Sequence, residues 1–222
     1  MSLRQHLVTR LLPEPQQPPQ TTAAQLAHLQ AVYGLHWPTW QQVALREAAV
    51  LVAISLRAAD PAVWLTLRAP HLRDHAGQVS FPGGRLEGGE DHIQAALREA
   101  HEEIGLTREL LEPLGFLPGH MTMTSHFWVI PVVASLYPGF VPHADPNEVR
   151  ETFALPVAHL LDPGQPVQEV REVDGQTITM PVWQYDGKRI WGATAAILMA
   201  LRHALSAGHE PRNPLPHEEG AA

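Results

Sequence analysis

The sequence predicts an α/β fold: a mixed sheet flanked by helices on both sides, within one domain. Three observations carry this. The apolar runs AAVLVAISLR at 48–57, AVWLTLR at 62–68 and HFWVIPVVASLY at 126–137 are rich in β-branched residues and read as strands. Two segments, 92–104 and 191–205, instead repeat apolar residues at helical spacing. The two kinds alternate along the chain as strands, helix, strands, helix.

In chain order, a short N-terminal helix precedes PEPQQPPQ at 13–20, whose Pro and Gln predict an extended linker, and residues 21–31 form another helix. The strands at 48–57 and 62–68 flank the turn AADPA and predict a hairpin. From Ala69 to Gly84 there is no period, which predicts a long loop closing on Phe81-Pro82-Gly83-Gly84. Asp91 and Gln94 have the spacing of a capping box, so a helix starts near His92, and Gly105 stops it. Ile93, Ala96, Leu97, Ala100 and Ile104 share its packing face. LGFLPGHM at 114–121 and VRETFALPV at 149–157 read as strands. VQEVREV at 167–173 and TITMPVWQYD at 177–186 flank the turn signal Asp174-Gly175 and predict a hairpin, with a second such signal at Asp186-Gly187. WGATAAILMALRHAL at 191–205 predicts an amphipathic helix opened by a packed Trp191. The expected division is a helical and linker extension at 1–45, a folded domain at 46–208 and a disordered tail at 209–222.

Composition narrows the function. With 222 residues, 45% hydrophobic and 17% charged, the chain is globular. A formal charge of −8 repels phosphodiester backbones, so no nucleic-acid partner is expected. The absence of Cys removes disulfides, thiol catalysis and thiolate metal sites together. No apolar run approaches the roughly 18 residues of a membrane span, and the N-terminus does not resemble a signal peptide, so no membrane partner and a cytoplasmic location are expected. His101-Glu102-Glu103-Ile104-Gly105 begins like a zinc-protease motif, but the fifth place is glycine. No P-loop is present, since Gly187-Lys188 is followed by Arg.

The chemistry concentrates in GGRLEGGEDHIQAALREAHEEIGL, residues 83–106. Glu99, Glu102 and Glu103 crowd two turns of one helix, where like charges three and four residues apart repel by a few tenths of a kcal/mol per pair. At about 100° per residue, Glu99 and Glu103 lie about 40° apart and Glu102 about 60° to the other side of Glu99, so all three are expected beside the apolar stripe. Converging carboxylate oxygens suit a hard divalent cation; Mg²⁺ in particular keeps several waters and recruits phosphate oxygens from a substrate.

Gly84, Glu90, Arg98, Glu99, Ala100, Glu102, Glu103, Gly105 and Leu106 match the pattern G-x5-E-x7-R-E-U-x-E-E-x-G-U, in which only Ala100 is smaller than the usual aliphatic U. In this the chain resembles the Nudix hydrolases. The resemblance implies an α/β/α sandwich that hydrolyses a nucleoside diphosphate linked to another moiety, using Mg²⁺ or Mn²⁺. It implies that Glu99 and Glu103 are the principal metal ligands, Glu102 a further ligand or water-mediated partner, and the Gly84 carbonyl a backbone ligand. It also implies that Arg98 and Glu90 orient the carboxylates, and that homodimers are common among relatives. The catalytic base is left between Glu102 and Glu148, the latter in PNEVRETFALP ahead of a strand.

WLTLRAPHLRDHAGQVSFPGG at 64–84 is similar to the signature of the coenzyme A pyrophosphatase subfamily, through Leu65, Thr66, Arg68, Arg73, Gly77, Phe81, Pro82, Gly83 and Gly84. Trp64 replaces a leucine, and Ala69 replaces a serine and removes a hydroxyl. With IWGATAAIL at 190–198, the likeness spans about 48–206. It implies a small-molecule substrate, coenzyme A or its oxidised or acyl forms, cleaved to 3′,5′-ADP and 4′-phosphopantetheine or its derivative. Arg68 and Arg73 are the candidate phosphate ligands through forked hydrogen bonds, with pairing to an acidic neighbour at the end of a strand the alternative for Arg68, and His71 and His75 flank Arg73 as further candidates. Other Nudix substrates, ADP-ribose or NADH, and a catalytically silent binding module are the rival readings.

Overall fold

The centre of the molecule is a pair of parallel strands, and the rest is built outward from it. The computed structural model describes residues 2–33, 41–122, 125–173 and 176–206; the expected tail at 209–222 and the Asp174-Gly175 turn lie outside them. The helices are α1 (Leu3–Val8), α2 (Thr22–Tyr33), α3 (His92–Ile104), α4 (Val157–Leu161) and α5 (Gly192–Leu205). The first strands are β1 (Arg46–Ile54), β2 (Ala62–Arg68), β3 (Val79–Ser80), β4 (Gly83–Arg85), β5 (Leu111–Phe116) and β6 (His120–Met121). They are followed by β7 (Phe127–Leu136), β8 (Val149–Pro156), β9 (Val167–Val173), β10 (Gln176–Tyr185) and β11 (Lys188–Ile190).

Strands β1 and β7 pair in parallel from Arg46↔Phe127 to Ile54↔Ser135. Their apolar runs are continuous because both faces are covered. In β1, Ala48, Val52 and Ile54 enter one core cluster while Ala49, Leu51 and Ala53 enter the other. The larger sheet has the order β3-β2-β1-β7-β5, with β4 also on β1, β6 on β7 and β8 on β2. Helix α3 covers the face of Ala49 and Leu51 with Ala95, Ala96, Leu97, Ala100 and Ile104. Helix α5 covers the other with Ala195, Leu198, Leu201 and Leu205, over Val52, Val63, Leu65 and Trp183. The N-terminal segment adds to both clusters, Leu7 of α1 to the α5 side and Leu29 of α2 to the α3 side.

Several expectations are corrected. β1 and β2 are not an extended hairpin: they meet only at Ile54↔Val63, after which β2 runs along β8 for its whole length and β1 along β7. Residues 69–84 are not all loop, since β3 pairs with β2 and β4 with β1. These strands are too short for a period of two to show. LGFLPGHM is split, with β5 ending at Phe116 and β6 starting at His120. The five-residue α4 was below the length at which helical spacing can be read. Strands β9, β10 and β11 form a second, three-stranded sheet rather than joining the first, and the Asp186-Gly187 signal marks the turn from β10 to β11.

Candidate active site

The site is assembled where α3, β4 and the start of β8 meet. Asp91 Oδ1 accepts from Gln94 N at 2.8 Å and Gln94 Oε1 accepts from Asp91 N at 2.9 Å, the reciprocal cap that starts α3 as expected. Gly105 ends it in the left-handed region at φ 69°. In β4, Gly83 and Gly84 lie opposite Val50 and Ala49 of β1. A Cβ on Gly83 would stand 2.4 Å from the Ala49 carbonyl oxygen, and one on Gly84 2.1 Å from Glu99 Oε1. Only glycine fits at 83, against the β1 backbone, whereas a side chain at 84 would displace the Glu99 carboxylate that now lies against the Gly84 backbone.

The three glutamates differ in environment. Glu102 is exposed, Glu99 is half-buried, and Glu103 is only 3% exposed. Glu103 therefore lies within the buried face of α3 and not beside it, which corrects the sequence expectation. The reason is helical geometry: Glu103 follows Ala96 by seven residues and falls within about 20° of it on the helix.

Arg98 joins the acidic groups. Its Nε and Nη2 donate to Glu90 at 2.7 and 3.0 Å, its Nη1 to Glu99 at 3.0 Å and Glu102 at 3.1 Å, and its Nη2 also to the Arg85 carbonyl at 3.1 Å. The hydrogen bonds from Arg98 hold the Glu90 carboxyl below the usual range. The Arg98 guanidinium is in turn raised, first by Glu90. Burial pushes Glu99 up, against the hydrogen bond from Arg98, with Glu102 and Glu148 adding to the rise. Glu103 is pushed from the ordinary 4.5 to about 8, chiefly by burial; Arg68 opposes this, Glu99 and Glu148 reinforce it, and the Gly83 N–H lowers it slightly.

The second group of residues comes from β2 and the turn before β8. A register shift in the β2–β8 pairing falls between Leu67 and Arg68, and such an irregularity re-aims the side chain at the end of a strand. Arg68 Nη1 reaches to 3.9 Å from Glu103 Oε1. Arg68 Nε and Glu103 Oε2 are both buried without a hydrogen-bond partner. Each residue thus keeps one buried polar atom open to a further partner beside their mutual contact.

Glu148 is held by its backbone. Its N–H donates to the Asp145 carbonyl at 3.1 Å and its carbonyl accepts from Ala69 N at 2.8 Å. The same turn is tied to the end of α3, where Asp145 N donates to the Glu103 carbonyl and His143 N to the Ile104 carbonyl, both at 2.9 Å. Glu148 is thereby close enough to raise both Glu99 and Glu103.

Arg73 is exposed and makes no ion pair with these carboxylates, so the structure brings Arg68 to the cluster and not Arg73. His71 Nε2 donates to the Asn147 carbonyl at 3.0 Å, and His75 Nδ1 lies 3.0 Å from Gln78 Oε1, so both are engaged within the loops. Sequence reasoning passed over Gly83 as a steric requirement and over Asp145, whose Oδ1 accepts from Asn147 N and Nδ2 at 2.9 Å and shapes the turn carrying Glu148. The Asp145-Pro146-Asn147 run was a readable turn signal.

Among the described residues no group of three His, Asp or Glu side chains is arranged to hold a metal ion by itself. The donor set nevertheless fits a hard divalent cation in chemical type, with an unpartnered buried oxygen on Glu103, the Glu99 carboxylate beside the Gly84 backbone, and room in the coordination of such ions for water and substrate oxygens.

Comparison with known proteins shows the family. Residues 45–173 match the NUDIX domain family. The chain is 39% identical over 169 residues to the uncharacterized Nudix hydrolase NudL of Citrobacter koseri, and 40% identical over 169 residues to that of Klebsiella pneumoniae strain 342, covering 75% of this chain and 85% of each relative. Among solved structures it is similar to a C. elegans Ap4A hydrolase binary complex, with a TM-score of 0.43 and 23% identity over 49% of this chain and 78% of that one. The chain belongs to the Nudix hydrolase family. Members act on small nucleotide-derived substrates and generally need divalent metal ions. No helix among the described residues is long and apolar enough to cross a membrane.

Proposed function

We propose that this Nudix hydrolase cleaves the pyrophosphate of coenzyme A, including its oxidised or acyl forms, to 3′,5′-ADP and 4′-phosphopantetheine or its derivative, in the cytoplasm. The supporting observation is the approach of Arg68 to Glu103 at 3.9 Å, which joins the coenzyme A signature at 64–84 to the acidic helix. Both carry buried atoms that lack a partner, a cationic one for an anionic substrate and an anionic one for a cation.

In this reading Glu99 and Glu103 are the principal metal ligands, with Glu102 and the Gly84 carbonyl as further ones. Mg²⁺ or Mn²⁺ bound there would neutralise pyrophosphate charge and acidify the attacking water. Arg98 and Glu90 keep Glu99 and Glu102 oriented, since one guanidinium spans all three carboxylates. Arg68 binds a phosphate beside the cluster, and Arg73, exposed on the loop away from it, would bind another only on reaching toward the substrate, each through a planar forked donor. Water attacks one phosphorus of the anhydride, the bridging P–O bond breaks, and the water proton passes to a carboxylate. We assign that proton to Glu148, because the Glu102 carboxylate is occupied by Arg98 at 3.1 Å. Glu102 remains the competing base, separable by comparing the pH–rate profiles of Glu102→Gln and Glu148→Gln.

The test is mass spectrometry of products after purified protein meets coenzyme A, NADH and ADP-ribose separately, with Mg²⁺ or Mn²⁺ and with EDTA. Release of 3′,5′-ADP and 4′-phosphopantetheine from coenzyme A alone, only with metal, supports the proposal. Preference for NADH or ADP-ribose removes the subfamily reading and leaves the family; no turnover with any metal points to a binding module.

A further inference from the structure

The three-stranded sheet ends in a strand that has a partner on one side only. β10 lies between β11 and β9, and β9 pairs with β10 alone among the described residues. Of the five large apolar side chains exposed among those residues, two are on this one strand, Val167 at 38% and Val170 at 66%. An outer strand of seven residues with unpaired backbone groups is a template for another strand unless its sequence guards it. β9 contains no Pro and no Lys; its guards are the charges Glu169, Arg171 and Glu172.

Those charges are arranged with a symmetry that turns the guard into a match. The strand reads Val-Gln-Glu-Val-Arg-Glu-Val and is centred on Val170. We propose that two copies of this chain associate by antiparallel pairing of β9 with the partner's β9, about a twofold axis through Val170. In that register Glu169 lies opposite the partner's Arg171, Arg171 opposite the partner's Glu169, and Gln168 opposite the partner's Glu172. Each charge pair occurs twice, and Val170 packs on its own copy.

A continuous sheet with a twofold axis perpendicular to it places residues of the same face opposite one another, so the axis must pass through a residue. Moving it to Glu169 or to Arg171 sets Glu against Glu or Arg against Arg at the centre, which is destabilising. Of the registers centred on the three middle residues, only the one at Val170 sets no like charges directly opposite. Glu169 is also oriented in advance: it bonds Arg189 on β11 and lies 3.8 Å from Arg171 of its own strand, and both arginines stand over the Trp191 ring, at 5.3 and 5.5 Å from its centroid.

The chain has no cysteine, so Val170→Cys introduces one thiol at the axis. Opposed residues of antiparallel strands have Cα atoms about 4.5–5.5 Å apart, within the span a disulfide bridges. Mild oxidation is expected to convert Val170→Cys into a covalent dimer, and to leave Val141→Cys, 80% exposed elsewhere, as monomer. By light scattering the unmodified chain is expected to be dimeric. Glu169→Arg or Arg171→Glu alone should raise the dimer Kd by about tenfold or more, because each creates two like-charge contacts. The double reversal, Glu169→Arg with Arg171→Glu, restores opposite charges and should restore the dimer, although it still lacks the bond to Arg189. A monomeric unmodified chain, equal cross-linking of Val170→Cys and Val141→Cys, or a double reversal as weak as the singles would overturn the proposal. None of these outcomes depends on the substrate.

Discussion

Helices α3 and α5 lie on opposite faces of the same sheet, and both turn an alanine-containing stripe toward it. Each also buries one polar side chain. On α5 it is Thr194, whose hydroxyl donates to the Val79 carbonyl at 2.9 Å and so fastens the helix to β3. On α3 it is Glu103, whose Oε2 has no partner and whose carboxyl is pushed up to about 8 by burial. Burying a polar group costs little when it is bonded and several kcal/mol when it is not. The bond of Thr194 fastens its helix to the sheet, whereas Glu103 keeps one buried oxygen open to a further partner, which in the proposed function is a metal ion. Substitutions on the two helices should therefore separate stability from turnover.

The largest separation is expected at Glu103. Glu103→Gln keeps shape and burial, so steady-state kinetics should show kcat/KM lower by orders of magnitude while circular dichroism shows an intact fold. Near-normal turnover would sink the ligand assignment. In metal-free protein the same variant should be the more stable one at alkaline pH. A carboxyl raised from 4.5 to about 8 in the folded state contributes stability that is full below about pH 4.5 and is lost as pH rises through about 8. Thermal melts in EDTA should show the unsubstituted protein falling relative to Glu103→Gln across that window, with Mg²⁺ narrowing the gap. Parallel melting curves would show that Glu103 is already ionised without metal.

The converse experiment is Leu198→Ala on α5. Leu198 is fully buried, so truncation should cost about 2–5 kcal/mol by urea unfolding while kcat/KM per folded molecule is unchanged. Intermediate between the two is Arg98→Lys, which keeps the charge and loses the fork that reaches Glu90, Glu99 and Glu102. Loss of such a supporting contact typically lowers metal affinity or activity by about 10–100-fold, and the effect should appear in Mg²⁺ titrations of activity more than in melting temperature.

The two helices were also legible to different degrees. For α3 the sequence showed both ends, through Asp91-Gln94 and Gly105, and the clustering of Glu99, Glu102 and Glu103, because spacing over one helix is local. What it hid was depth. Glu103 was read as flanking the stripe, although seven residues after Ala96 it falls on the buried face, and how closely β4 closes over that face depends on Gly83 meeting the β1 backbone across a gap that excludes a methyl group. An acidic partner for Arg68 was among the readings, but that it is Glu103 was hidden for the same reason, as it depends on the irregularity between Leu67 and Arg68. Pairing was the least legible feature. The runs at 48–57 and 62–68 announce strands, but nothing local reveals that β1 prefers β7 over its sequence neighbour, because register over nine residues is decided by burial on both faces.

The smallest expected effect tests the α5 side of the comparison most directly. Thr194→Val preserves shape and removes one hydroxyl from a buried hydrogen bond to Val79, so it should cost about 1 kcal/mol. If that bond only fastens the helix, the loss will appear as a lower midpoint in urea with an unchanged slope, and kcat and KM will both stay where they were. Val79 belongs to β3, two residues before the Phe81-Pro82-Gly83-Gly84 segment that enters the site. A fall in kcat at constant stability would therefore mean that α5 holds β4 in place through β3, and that the division of labour between the two faces is narrower than their polar groups indicate. Measuring urea unfolding and steady-state kinetics on the same preparation distinguishes the two, because stability and positioning would then move independently.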